Sequence, residues 1–92
     1  MKKNKKNKRI FVDMSATLIH HGHIRLLKKS CKFGNVIVGL STDKEIKKFK
    51  GYYPELNYNQ RKEILSSIKY VTQVIPSKWL ISNSFLKKNK ID

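Results

Sequence analysis

The sequence predicts an α/β domain, a Rossmann-like parallel sheet with strands in the order 3-2-1 and helices on both faces. Three observations predict it. Near-continuous apolar runs at Arg9–Met14, Asn35–Leu40 and Val71–Ile75 read as strands covered on both sides, the pattern of parallel strands. The stretches between them carry apolar residues at helical spacing. The links are short, and strand–helix alternation with short links gives right-handed crossovers within one sheet. A chain of 92 residues has room for one such domain.

The elements follow in order. Residues 2–8 are a Lys/Asn tract, so 1–8 is expected to be a disordered basic tail and 9–92 the folded domain. After the first strand, His23–Phe33 reads as a helix. Ile24, Leu27 and Cys31 fall at i, i+3 and i+7, with Leu26 and Phe33 beside them, and Gly34 supplies the stop. The single cysteine, Cys31, then reads as a small core residue. Asp43 can cap a short helix over Lys44–Phe49. Gly51 and Pro54 mark a loop from Lys50 to Tyr58. Asn59 is a candidate cap for the next helix, with Ile64, Leu65 and Ile68 facing inward. Pro76 and Ser77 are expected to open a last helix whose buried side is Trp79, Leu80 and Phe85. In doubly wound folds the first strand is central. Here the strands expected on its other side are missing, which leaves Ile10–Met14 as an uncovered apolar edge.

Composition bounds the partners. Lys and Arg number 21 against 6 acids, a formal charge of +15. Lys2, Lys3, Lys5, Lys6, Lys8 and Arg9 account for six of these, which leaves the body basic too. Such a charge favours anions: nucleotides, nucleic acid or a membrane surface. Solvated lysines from a compositional bias are the bland alternative for the tail. No apolar run approaches the ~20 residues of a membrane span, and no signal-peptide pattern is present. A cytoplasmic protein without membrane contact is expected.

The chemistry concentrates between Ile10 and Ile24. An apolar strand enters a short polar turn that ends in His20-His21-Gly22-His23, and a helix follows at once. The first turn of a helix leaves backbone N–H groups without partners, which suits it to phosphate. Gly22 lets the chain approach a ligand closely, because it has no Cβ. His20 and His23 can donate to phosphate oxygens from one edge. They could also bind zinc at i, i+3, but no cysteine or acid stands at ligand spacing, so no metal site is expected. Arg61 sits at a helix start, where a cation opposes the dipole. That implies either anion binding or a bridge to a loop carboxylate. Tyr52, Tyr53 and Tyr58 could line a pocket or pack over the sheet.

These residues resemble the cytidylyltransferase-like nucleotidyltransferases. His20-x-Gly22-His23 after a first strand is similar to the family signature. Val36 to Asp43 resembles its second strand with a Ser/Thr-Asp end, and Tyr58-Asn59-Gln60-Arg61-Lys62 its Tyr-x-x-Arg-Lys. Tyr70 to Pro76 resembles its third strand. The glycerol-phosphate and phosphonate-associated branches are the most similar. The resemblance implies transfer of CMP from CTP (or ATP as the nucleotide) to a small phosphate- or phosphonate-bearing acceptor, with release of pyrophosphate. It makes His20 and His23 catalytic. It makes Met14, Ser15, Ala16, His20, Gly22, His23, Lys50 and Arg61 nucleotide-binding, with Lys47 and Lys48 as substitutes for Lys50. Mg²⁺ would accompany the triphosphate. His21 occupies the variable position, and Thr17 stands where the family usually has Asp. Family members continue into a fourth strand and a triphosphate-binding Arg segment absent from this sequence. A second reading is therefore an incomplete fragment or split half that binds nucleotide, a complementing chain or its own copy. A basic nucleic-acid-binding protein ranks third, since no recognition motif is present.

Overall fold

The computed structural model describes residues 8–78 and 80–92. The expected tail, except Lys8, and Trp79 of the expected last-helix stripe lie outside the described residues. Three parallel strands, β1 (Arg9–Met14), β2 (Asn35–Ser41) and β3 (Gln73–Ser77), form one sheet with β2 in the middle. This is the expected 3-2-1 order. Helix α1 (His21–Ser30) joins β1 to β2, while α2 (Asp43–Lys50) and α3 (Tyr58–Ser66) join β2 to β3. Helix α4 (Asn83–Lys88) follows β3.

Strand alternation sorts the core into two faces. Val12, Val38 and Val74 align across the sheet. With Met14, Val36 and Leu40 they are buried in one cluster with Leu27 of α1 and Leu65 of α3. Phe11, Asp13, Ile37, Gly39, Ser41, Ile75 and Ser77 alternate onto the opposite face. There Phe85 of α4 meets Phe11 edge-on, with ring centroids 5.7 Å apart. Helices thus cover both faces, as expected.

Gly39 shapes the second face. A Cβ at this position would lie 2.3 Å from Phe11 Cζ and 3.2 Å from the Ser77 Cβ. Because the central strand offers no side chain here, residues of the two flanking strands meet above it. Ser77 Oγ donates to Asp13 Oδ1 at 3.3 Å.

The boundaries differ from the sequence reading where a cap or the sheet register decides them. His20, Thr42 and Asn57 cap α1, α2 and α3, so Asp43 and Asn59 lie inside helices instead of capping them. The third strand runs later than Val71–Ile75 and passes through Pro76 to Ser77, which pair with Leu40 and Ser41. A proline is tolerated there because β3 is an edge strand. The last helix consequently starts at Asn83, capped by Ser82, and not at Pro76. Leu80, expected inside, is 78% exposed, and Leu26, Phe33 and Ile64 are exposed as well. Cys31 packs partly buried against the core.

β1 is the other sheet edge. At its start the chain's last residue is in contact: Asp92 N donates to Arg9 O at 3.1 Å, and Arg9 N donates to Asp92 Oδ2 at 2.6 Å. No helix among the described residues is long and apolar enough to cross a membrane.

Candidate active site

The turn from β1 into α1 is closed by its own histidines. Gly22 N donates to His20 Nδ1 at 3.0 Å, and His20 N donates to His23 Nδ1 at 3.1 Å. This is a reciprocal capping box built from imidazoles. A ring nitrogen that accepts from an amide carries no proton, so each neutral ring holds its proton on Nε2. The cap therefore fixes both tautomers. The rings lie 4.3 Å apart and tilted by 43°, neither splayed nor turned into the core. His23 has its pKa lowered from 6.5, first by burial and then by the charge of His20, which favours the neutral acceptor the cap requires. His21 is exposed, and its ring lies 5.7 Å from that of His20.

Gly22 has a more specific task than close approach of a ligand. A Cβ at this helical position would lie 2.7 Å from His20 Cε1 and 3.0 Å from His20 Nδ1. The space it leaves is filled by the capping imidazole.

Arg61 supports the turn from beneath. It is fully buried, and its guanidinium donates to Ser15 O at 2.7 Å, Ser41 O at 2.8 Å and Leu56 O at 3.1 Å. It also forms a 2.6 Å ion pair with Asp43. Asp43 in turn accepts from Tyr58 N, the first amide of α3, at 3.2 Å. Arg61 thus bridges to a carboxylate, but to that of Asp43 in the first turn of α2 and not to one in a loop, and these donors face protein oxygens. Ser15 is thus gripped by its carbonyl, while its hydroxyl accepts from Lys50 Nζ at 3.4 Å. Lys50, and not Lys47 or Lys48, is the lysine brought to this loop; Lys47 instead reaches Gly51 O. Met14 and Ala16 are buried. Ala16 has φ of 50°, a left-handed conformation that costs a residue with a Cβ.

Beside Ser15 lies a polar hollow of about 270 Å³ lined by Asp13, Met14, Ser15 and Ser41. The Asp13 pKa is raised above 3.8 by burial, partly offset by the Ser77 hydrogen bond. Asp13, Ser41 and Ser77 are not among the site residues that the sequence points to. The available signal was an acid near the end of an otherwise apolar strand. Tyr52 and Tyr53 are exposed, while Tyr58 packs against the core with its hydroxyl buried and unpartnered. Tyr58 therefore packs over the sheet, while Tyr52 and Tyr53 face solvent.

Comparison with known proteins gives the family and the fold. The Cytidylyltransferase-like family profile matches residues 15–92. Glycerol-3-phosphate cytidylyltransferase of Staphylococcus aureus is 42% identical over 89 residues, covering 92% of this chain and 65% of that protein. A probable ethanolamine-phosphate cytidylyltransferase of Encephalitozoon cuniculi is 31% identical over 93 residues, covering 100% of this chain and 29% of that protein. The chain thus spans less than two thirds of either relative's length. Among solved structures, the lipopolysaccharide core biosynthesis protein of Thermoplasma volcanium superposes with a TM-score of 0.80 at 26% identity, covering 92% of this chain and 70% of that one. The chain belongs to the cytidylyltransferase-like family.

Proposed function

We propose that this chain acts in transfer of CMP from CTP to a small phosphate- or phosphonate-bearing acceptor. An acceptor oxygen bonds to the α-phosphorus, the bond from that phosphorus to the bridging oxygen breaks, and pyrophosphate leaves. The reaction needs positioning and stabilisation of negative charge more than covalent help. The observation that carries the reading is the fixed tautomer pair: two Nε2–H donors, 4.3 Å apart by ring centroid, at a helix start. Both can donate to oxygens of one phosphate group as its charge builds. Lys50, through Ser15, places a further cation beside the same loop. Arg61 acts as a positioning residue, since it holds Ser15 without facing the hollow.

Mg²⁺ fits the donor chemistry of the hollow, where Asp13 offers a carboxylate beside the hydroxyls of Ser15 and Ser41. Carried by the triphosphate, it would offset the charge of the departing pyrophosphate. Calorimetric titration of this chain with Mg·CTP and Mg·ATP tests the reading. Saturable CTP binding that disappears in the His20→Ala, His23→Ala double variant is expected. Heat of binding that the double variant leaves unchanged would sink it.

The place of β1 at the sheet edge favours a second reading, in which the site works only beside a second copy of the chain. Pyrophosphate release per chain would then rise with protein concentration, whereas a self-sufficient site gives a constant value.

A further inference from the structure

At the end of the sheet opposite the histidine turn, a trough of about 560 Å³ lies between the start of β1 and the end of α1. It is lined by Lys8, Ile10, Leu26, Lys29, Ser30 and Phe33. Ile10 alternates onto the sheet face of Val12 and Met14, which α1 covers. Leu26, Lys29 and Ser30 form one stripe of α1, at i, i+3 and i+4. Phe33 extends the stripe by a further turn, its amide donating to Ser30 O at 3.0 Å. Both apolar members of the stripe are open to solvent, Leu26 46% and Phe33 59% exposed. The charge around the trough has one sign. Lys8 and Lys29 line it, and Arg25, Lys28 and Lys32 are exposed on the same helix and turn. Residues 1–12 and 14–42 contain no acid, and Lys2, Lys3, Lys5 and Lys6 precede Lys8. At this end of β1 the Asp92 carboxylate accepts from the Arg9 amide at 2.6 Å.

We propose that this trough is a docking surface for an acidic amphipathic helix of a partner protein. Apolar partner residues at i, i+3, i+4 and i+7 would cover Ile10, Leu26 and Phe33, which lie along about two helical turns. Flanking Asp and Glu side chains would face Lys8 and Lys29. In such a contact the apolar anchors supply affinity, and the complementary charges select the partner. A second copy of this chain is a poor occupant, because two chains of +15 repel each other. A flat anionic bilayer would meet the exposed Phe33 and the lysines of the rim. It would not reach the partly buried Ile10 on the floor, which a convex helix can fill. Since β1 runs from this end towards the histidine turn and α1 runs back from it, a docked helix leaves the nucleotide site open.

Fluorescence anisotropy of a labelled synthetic peptide, titrated with the full chain, tests the proposal. The probe carries Leu at i, i+3, i+4 and i+7 with Glu at the flanking positions. Its scrambled isomer keeps the composition and charge but loses the stripe. The ordered peptide is expected to bind about ten-fold tighter than the scramble. The double variant Leu26→Ser, Phe33→Ser, at two exposed positions, should lower affinity for the ordered peptide about ten-fold and leave the scramble where it was. Its thermal midpoint and its CTP titration should match the parent. Lys29→Glu, also exposed, should weaken the ordered peptide as well. Equal binding of the two peptides overturns the proposal and assigns the contact to diffuse charge. So does an affinity that the serine pair leaves unchanged, or no binding of the ordered peptide. Displacement of that peptide by vesicles of phosphatidylglycerol and phosphatidylcholine would overturn it in favour of a membrane surface. A dimer in sedimentation that the serine pair dissolves would overturn it in favour of a second copy.

Discussion

On the proposed function His20 has two roles: Nδ1 accepts from the Gly22 amide, and Nε2 is left to donate to a ligand. The two roles can be separated by substitution. Asparagine ranks among the best N-caps and lacks a donor in the Nε2 position. His20→Asn should therefore keep the thermal midpoint close to that of the parent while the rate of pyrophosphate release falls about 10²–10³-fold. His20→Ala should lose the same rate and, in addition, about 1 kcal/mol of stability with the cap. Full activity in His20→Asn would remove the histidine from the chemistry. His23 adds a pH dependence. Its folded pKa lies below 6.5, because burial and His20 favour the neutral ring. Such a group contributes stability above its unfolded pKa and loses it as pH falls through the lower folded value. Thermal midpoints should hold level down to about pH 6.5 and then decline. His23→Gln, which can still accept from His20 N but cannot titrate, should remove that part of the decline.

Helix α3 supplies the element-scale argument. Its fourth residue, Arg61, binds carbonyls at the end of β1, the end of β2 and the preceding loop, together with the Asp43 carboxylate. One side chain thus sets the spacing of three segments that border the site. Arg61→Met keeps the volume and strands these acceptors, and should cost about 3–5 kcal/mol in denaturant unfolding. Asp43→Asn, at a partner that is one-third exposed, should cost less. The elements that could be read from the sequence are those decided locally. Strand β1 is set by its apolar run, and a helix is legible just after it, although the sequence reading starts that helix at His23 and the imidazole cap of His20 moves the start to His21. The purpose of Arg61 was narrowed to two roles by its position against the helix dipole, but choosing between them required partners up to 46 residues away. The extent of β3 was not legible, because it is set by register with β2 and not by local pattern. The Asp13–Ser77 contact joins residues 64 positions apart across a glycine, and nothing local announces it.

At the scale of the molecule, the charge of +15 attracts any polyanion, so binding of CTP alone does not establish a site. Salt dependence distinguishes a diffuse field from fixed donors. Duplex DNA held by the basic surface should lose affinity with a log–log slope of about −0.9 per phosphate neutralised. A triphosphate held by two oriented imidazoles and a loop lysine engages few charges, and its affinity should fall far less between low and physiological salt. His20→Asn supplies the second axis. It removes one short-range donor and leaves the formal charge of +15 unchanged, since neutral histidine is not counted in that total. CTP affinity should drop in the variant at every salt concentration, whereas duplex affinity should be the same in both proteins. If CTP and duplex binding instead decline in parallel with salt and His20→Asn alters neither, the anion is held by the overall charge and the histidine turn has no part in it.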